Sequence, residues 1–199
     1  MTTIWRSSLL LLAVALVACG NPEAPKFRGT DITGADFGKA LALTGHDGKP
    51  RVLEDFRGKL VVLTFGFTHC PDICPTTLAD MAAAVKSLGP DGARVQVLFV
   101  TVDPERDTPE LLAKYVPSFH PDFLGLAGDA AATERVAKEF KIFYEKRLGG
   151  APGAYTVDHS AQSYVLDAEG RLRLVERHER IAQDLAADLR TLLATRSGP

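Results

Sequence analysis

The chain has 199 residues, with 23 Lys or Arg against 25 Asp or Glu and a formal net charge of −2. That near balance, with no block of like charge, supplies no basic face for nucleic acid, and 46% hydrophobic residues are enough to bury one sizeable core. Of the three cysteines, at 19, 70 and 74, the last two are close enough in sequence to act together.

In chain order, residues 1–18 carry Arg6 followed by the apolar run SSLLLLAVALVA. A run of about a dozen residues is short for a bilayer span and reads as a secretory signal. Leu16-Val17-Ala18-Cys19 resembles the lipobox of bacterial lipoproteins, in which cleavage precedes the cysteine and its sulfur is acylated. The expected mature protein therefore begins at Cys19 as an extracytoplasmic lipoprotein on a bacterial cell membrane, facing the periplasm or the cell exterior. Lipidation of Cys19 leaves Cys70 and Cys74 as the free thiols. Residues 19–36, polar and patternless with Pro22, Pro25 and Gly29, are expected to form a flexible tether, and residues 37–199 a single domain. Two short extended runs within Ala42 to Leu53 flank His46-Asp47-Gly48-Lys49, where Asp-Gly signals a β-hairpin turn. LVVLTFGF (Leu60 to Phe67) predicts a buried strand, Pro75 to Leu88 a helix closed by Gly89-Pro90, and VQVLFVTV (Val95 to Val102) a second buried strand, together a βαβ unit. Thr108 to Phe119, with Pro109 in its first turn, and Ala130 to Phe140 predict helices on either side of a short strand at Leu124 to Gly128. Ser163 to Leu166 and Leu172 to Glu176 predict a hairpin across Asp167-Ala168-Glu169-Gly170, ahead of a last helix from about Ile181 to Leu193. Strands alternating with helices predict an α/β sheet covered on both faces.

The chemistry concentrates in TFGFTHCPDICPTT, where the first buried strand ends and the helix begins. Unpaired N–H groups and the positive end of the helix dipole favour thiolate there. With one helical turn between them, Cys70 and Cys74 share a face with Cβ atoms roughly 5–6 Å apart, near enough to hold one ion. A cysteine pair between strand and helix, followed by a βα unit and a hairpin with a last helix, resembles the thioredoxin layout, so the expected fold is thioredoxin-like with an N-terminal β-hairpin extension. The motif departs from thioredoxin in having three residues between its cysteines and His69 where Trp is usual. At helical geometry the two Cα atoms stand about 6 Å apart, the long end of disulfide range, and Pro71 and Pro75 leave the local unwinding that a disulfide needs within reach. Two thiolates also select soft ions such as Cu(I), Zn or iron–sulfur iron, while two sulfurs and one imidazole are too few for a closed structural zinc site. Among the five histidines, His46, His120 and His178 read as solvated surface residues and His69 as projecting away from Cys70. His159, in YTVDHS, sits on the segment that a thioredoxin-type fold brings up to the cysteines, and by position it is equally a ligand or a structural histidine.

HCPDICPTT, VDPERDTP (Val102 to Pro109) and YTVDHS together resemble the Sco/SenC proteins, copper-binding thioredoxin-fold proteins that help assemble cytochrome c oxidase. The resemblance runs from about Phe37 to the C-terminus. It implies that Cys70, Cys74 and His159 hold one copper per domain, as Cu(I) or Cu(II), and that Asp72 and Asp158 lie near the site; on their own, both read as loop carboxylates that bond local N–H groups. It implies a membrane-anchored copper metallochaperone rather than an enzyme. The partner would be the copper A domain of cytochrome c oxidase subunit II, with another periplasmic copper chaperone or a thiol reductase alongside. The alternative is a thiol–disulfide oxidoreductase in which Cys70 and Cys74 are the redox pair that reduces the copper A cysteines. A thiol peroxidase would share the strand-to-helix cysteine but explains neither the close pair nor His159, and a stapling disulfide would close too short a loop to stabilise much. Asp103 to Pro109 reads as a turn with Asp107 or Thr108 capping the next helix, or else as a partner surface.

Overall fold

The computed structural model describes residues 25–150 and 154–195; the signal and the lipidation expected at Cys19 lie outside the described residues. The elements are β1 (Thr30–Asp31), β2 (Ala42–Gly45), β3 (Pro50–Val52), β4 (Leu60–Gly66), α1 (Ile73–Ser87), β5 (Val95–Thr101), α2 (Pro109–Tyr115), β6 (Leu124–Ala127), α3 (Ala130–Glu139), β7 (Tyr144–Leu148), β8 (Tyr155–His159), β9 (Ser163–Leu166), β10 (Leu172–Glu176) and α4 (Ile181–Ala194). Eight strands form one sheet in the order β1-β10-β9-β4-β5-β6-β2-β3, and β7 and β8 form a separate two-stranded ribbon.

A strand that lies in mid-sheet under helices must be apolar without interruption, and β4 is buried at every residue. It pairs in parallel with β5 from Leu60 opposite Val95 to Gly66 opposite Thr101, and antiparallel with β9 on its other side. Side chains alternate across the sheet, so Phe65 meets Phe140 just beyond α3, with ring centroids 5.8 Å apart. The next position faces the other way: a Cβ at Gly66 would stand 2.8 Å from Cys74 Sγ of α1. Helices thus cover both faces, and α1 packs against α4. The expected hairpin is β2 and β3, with Gly48 at φ +78° in its turn. Because β2 also pairs with β6, the hairpin extends the main sheet of a thioredoxin-like α/β fold.

Two segments differ from expectation. The tether expected over residues 19–36 is fastened to the domain well before it ends: Asp188 of α4, buried, accepts the N–H groups of Arg28 (2.9 Å) and Gly29 (2.7 Å), and β1 pairs with Val175 and Leu174 of β10. These partners lie about the whole length of the domain away in sequence, so no local pattern shows them. Glu176, fully buried, faces the same strap; burial first, and then the neighbouring Asp188, push its carboxyl up to about 8. The second difference is the ribbon. His159 closes strand β8, opposite Tyr144 of β7, where a loop is expected; β8 alternates, with Thr156 and Asp158 exposed on either side of buried Val157, but over only five residues and with a single buried side chain, a weak signal.

Candidate metal centre

Beyond β4 the chain turns back on itself through the Cys70 N–H, which bonds the carbonyl of Phe67 (3.2 Å). Cys70 therefore precedes α1 rather than sharing its face, and Cys74 sits in the first turn. The backbone N–H of Cys74 points at Cys70 Sγ, 3.4 Å away, so the sulfur takes the place of a capping acceptor among helix-end donors that have no partner within the helix. Asp72 stands at the N-cap position and makes no side-chain cap; its carboxylate lies 3.5 Å from Thr76 Oγ1. The third group arrives from the ribbon, with His159 Nε2 3.6 Å from Cys74 Sγ. The other ring nitrogen, Nδ1, lies 2.9 Å from the Ser160 carbonyl. A carbonyl only accepts, so Nδ1 carries the proton and the Nε2 lone pair is left toward the sulfur. The Phe67 ring meets the imidazole edge-on, with centroids 5.9 Å apart.

The two sulfurs are not equivalent. Cys74 is 4% exposed, Cys70 is half-buried, and both are free thiols. Hydrogen bonding from the Cys74 side chain, aided by the N–H groups of Cys74 and Asp72, holds Cys70 down to about 5, whereas the same contact together with burial pushes Cys74 far up. At neutral pH the pair keeps one proton, with the thiolate on Cys70. Metal–sulfur and metal–nitrogen bonds of about 2.3 and 2.0 Å at tetrahedral to trigonal angles set two ligand atoms about 3.5–3.8 Å apart, and the sulfur–nitrogen separation of 3.6 Å falls within that range. Among the described residues no three His, Cys, Asp or Glu side chains already surround one ion position, so closing the trio on a metal takes a side-chain adjustment. The crevice between Ile73, Cys74, Phe99, His159 and Ala161 measures about 10 Å³, room for an ion or one water and for no organic substrate.

The loop after β5 holds this arrangement together. Asp107, 1% exposed, accepts the Thr68 N–H (3.0 Å), the Thr68 hydroxyl (2.6 Å) and the Thr101 hydroxyl (2.6 Å), which fastens the cysteine loop to the end of β5. Asp103, fully buried, accepts the Tyr155 hydroxyl (2.8 Å) and pairs with Arg106, whose Nη1 donates to the Tyr155 carbonyl (3.0 Å). The expected turn and cap are present with Thr108 as the cap, accepting the Leu111 N–H. Asp107 does not cap, and the positioning role of Asp103, Arg106 and Asp107 goes unread in the sequence. Its signal was a run of charge directly after a buried strand, where each charge must find a partner. Asp158 is exposed and pairs with Arg147 (2.9 Å) rather than with backbone. Of the remaining histidines, His69 is half exposed beside Thr68 (3.1 Å), and His120 stacks on Phe123. His178 neighbours Glu179 at 3.5 Å. His46 is no solvated residue: its Nδ1 accepts the Gly125 N–H (3.0 Å), and burial lowers its pKa.

A family model described as SCO1/SenC matches residues 29–194. The chain is 38% identical over 156 residues to the mitochondrial protein SCO2 homolog of Mus musculus, an alignment that covers 77% of this chain and 61% of that protein; it thus spans about three fifths of that relative's length. Apo Sco1 of Thermus thermophilus superposes with a TM-score of 0.76 at 43% identity, covering 85% of this chain and 99% of the other. ScoI of Bradyrhizobium japonicum with copper bound gives 0.72 at 36% identity, covering 78% and 99%.

Proposed function

This chain belongs to the SCO1/SenC family, and we propose that it is a copper metallochaperone that binds one Cu(I) or Cu(II) through Cys70, Cys74 and His159 and carries it toward the binuclear copper A centre of cytochrome c oxidase subunit II. The observation that carries this reading is His159 Nε2 standing 3.6 Å from Cys74 Sγ, beside a second sulfur held as thiolate. Two thiolates satisfy Cu(I), and the imidazole adds the nitrogen that Cu(II) prefers. Three protein donors leave a coordination position open to an incoming donor, which suits transfer rather than storage. The copper-bound relative supports the same choice of metal. The proposal includes an extracytoplasmic position on the membrane through lipid on Cys19, supported by the lipobox-like LVAC. Among the described residues no helix is long and apolar enough to cross a membrane. Release of Cys19→Ser from carbonate-washed membranes checks the anchor.

A second reading, thiol–disulfide exchange, is favoured by the split between the sulfurs. Cys70 as thiolate attacks a partner disulfide, and Cys74 then displaces the partner thiol, leaving Cys70–Cys74 oxidised and two partner thiols reduced. The deciding experiment gives the copper-loaded chain in detergent to a copper A apo-domain whose thiols are already reduced. Transfer without added reductant supports the chaperone, and failure of transfer together with reduction of an oxidised copper A domain supports the oxidoreductase. Elemental analysis is expected to find one copper on the reduced chain and essentially none on its disulfide form, whose sulfurs have lost the thiolate lone pair.

A further inference from the structure

The ribbon that brings His159 to the cysteines is not hydrogen-bonded into the eight-stranded sheet, and a two-stranded hairpin has little stability of its own. Its place is set by Val157, which is buried in the core, and by what holds its ends. Near His159, the Ser160 N–H bonds the Phe143 carbonyl (2.9 Å) and the Ser160 hydroxyl accepts the Phe143 N–H (3.1 Å), contacts that close the ribbon on itself. At the far end of β8, about 13 Å away at strand rise, stands Tyr155, and there the Arg106 side chain reaches across, beside an exposed ion pair between Lys146 of β7 and Glu105. The Arg106 guanidinium lies 3.6 Å from the Tyr155 ring centroid and donates to the Tyr155 carbonyl, while Asp103 receives both Arg106 and the Tyr155 hydroxyl. The same guanidinium lies 5.8 Å from the centroid of Phe67, which roots the cysteine loop and meets His159 edge-on. Arg106 Nη2 is buried without a hydrogen-bond partner, on a guanidinium that lies against the Tyr155 ring.

We infer that Arg106 is a positioning residue: it clasps the His159 ribbon to the cysteine loop and so sets how tightly the site holds Cu(II) relative to Cu(I). The inference rests on Cys70, Cys74 and His159 being the copper ligands. Cu(I) is held by the two thiolates wherever the ribbon lies, whereas Cu(II) needs the imidazole in place. Freeing Tyr155 lowers the effective concentration of Nε2 at the sulfurs and leaves the sulfurs where they are.

The test uses the full chain in detergent. Arg106→Ala is expected to weaken Cu(II) binding roughly 10–100-fold, the range of a change behind a ligand, with Cu(I) affinity altered less than about threefold. In the metal-free protein, amide hydrogen exchange of residues 155–159 should speed up. Tyr155→Phe, which keeps the ring under the guanidinium and loses only the bond to Asp103, should fall between Arg106→Ala and the parent, and it serves as the test should Arg106→Ala fail to fold. In a His159→Ala background Arg106→Ala should weaken Cu(II) no further. Equal loss of Cu(I) and Cu(II), unchanged exchange over 155–159, or a full Arg106 effect without His159 each overturns the inference. Unaltered Cu(II) binding by His159→Ala alone overturns the ligand set first, so the two failures are told apart.

Discussion

The cysteine side of the site and the histidine side are built on opposite plans. Cys74 stands in a helix packed on a strand that is buried at every residue, and the loop before it is pinned by a carboxylate accepting three hydrogen bonds. His159 ends a ribbon outside the main sheet, where Leu148 is 90% exposed and Phe143 60% exposed. On the proposed ligand set, the donors for either copper oxidation state would thus rest on the core, and the donor chiefly for Cu(II) would be held by the ribbon's contacts.

The strongest way to break this contrast is to unpin the cysteine side. Asp107→Ala leaves the Thr68 N–H and the hydroxyls of Thr68 and Thr101 without their acceptor, at about 1–3 kcal/mol for each buried unpaired group; urea unfolding should show a loss of about 3–5 kcal/mol, and both copper states should bind more weakly. The matching change on the ribbon, His159→Ala, should leave unfolding of the metal-free chain within about 1 kcal/mol of the parent. It should cost more than about a hundredfold in Cu(II) affinity, near 2.7 kcal/mol, and abolish or shift the thiolate-to-Cu(II) absorption. A large loss of stability there would erase the distinction between the halves. Gly66→Ala crowds the cysteine side from within, since the added methyl would stand 2.8 Å from both Cys74 Sγ and Phe99. It should lower stability by about 1–3 kcal/mol and weaken Cu(I), which His159→Ala largely spares.

The smallest effects are in pH. Alkylation should fall on Cys70 with a midpoint near 5 and leave Cys74 unmodified; a midpoint in the ordinary thiol range would remove the helix-end thiolate. Because the folded Cys70 pKa is depressed, its contribution to stability is present above the unfolded thiol pKa and is lost as pH falls through about 5. Glu176 runs the other way: its carboxyl is raised to about 8, so its contribution is full below about 4.5 and fades as pH rises through 8. Glu176→Gln should flatten that alkaline slope of stability and leave the Cys70 alkylation curve in place.

What the sequence disclosed follows the same division. LVVLTFGF and VQVLFVTV announce β4 and β5 because a strand covered on both faces tolerates no polar residue, and Asp47-Gly48 announces the first hairpin. Cys70 and Cys74 are legible as a reactive pair from their place between strand and helix, although Cys70 lies ahead of the helix and not on its face. The ribbon is hardly legible, since YEKRL is charged and exposed on both sides and the alternation of YTVDH is only five residues long. The approach of His159 to Cys74, a contact between residues 85 positions apart, is legible only in part: position in a thioredoxin-type layout leaves it equally a ligand or a structural histidine, and the likeness of YTVDHS to a known family is what favours the ligand. Asp107 shows why side-chain roles stay ambiguous: a carboxylate before a helix can cap it or serve a distant loop, and here Thr108 takes the cap and frees Asp107 for Thr68.

Burial of Cys74 behind Cys70 imposes an order on any exchange. A donor arriving from solvent reaches the half-buried sulfur first, while the inner one, walled by Gly66 and Phe99, is out of its reach. If the proposed ligand set holds copper, the outer thiolate would be surrendered first, the imidazole would withdraw with its ribbon, and the inner sulfur would let go last. An ion leaving by that sequence would always have one hand on it before the other opens, so that handover would leave no free copper in between.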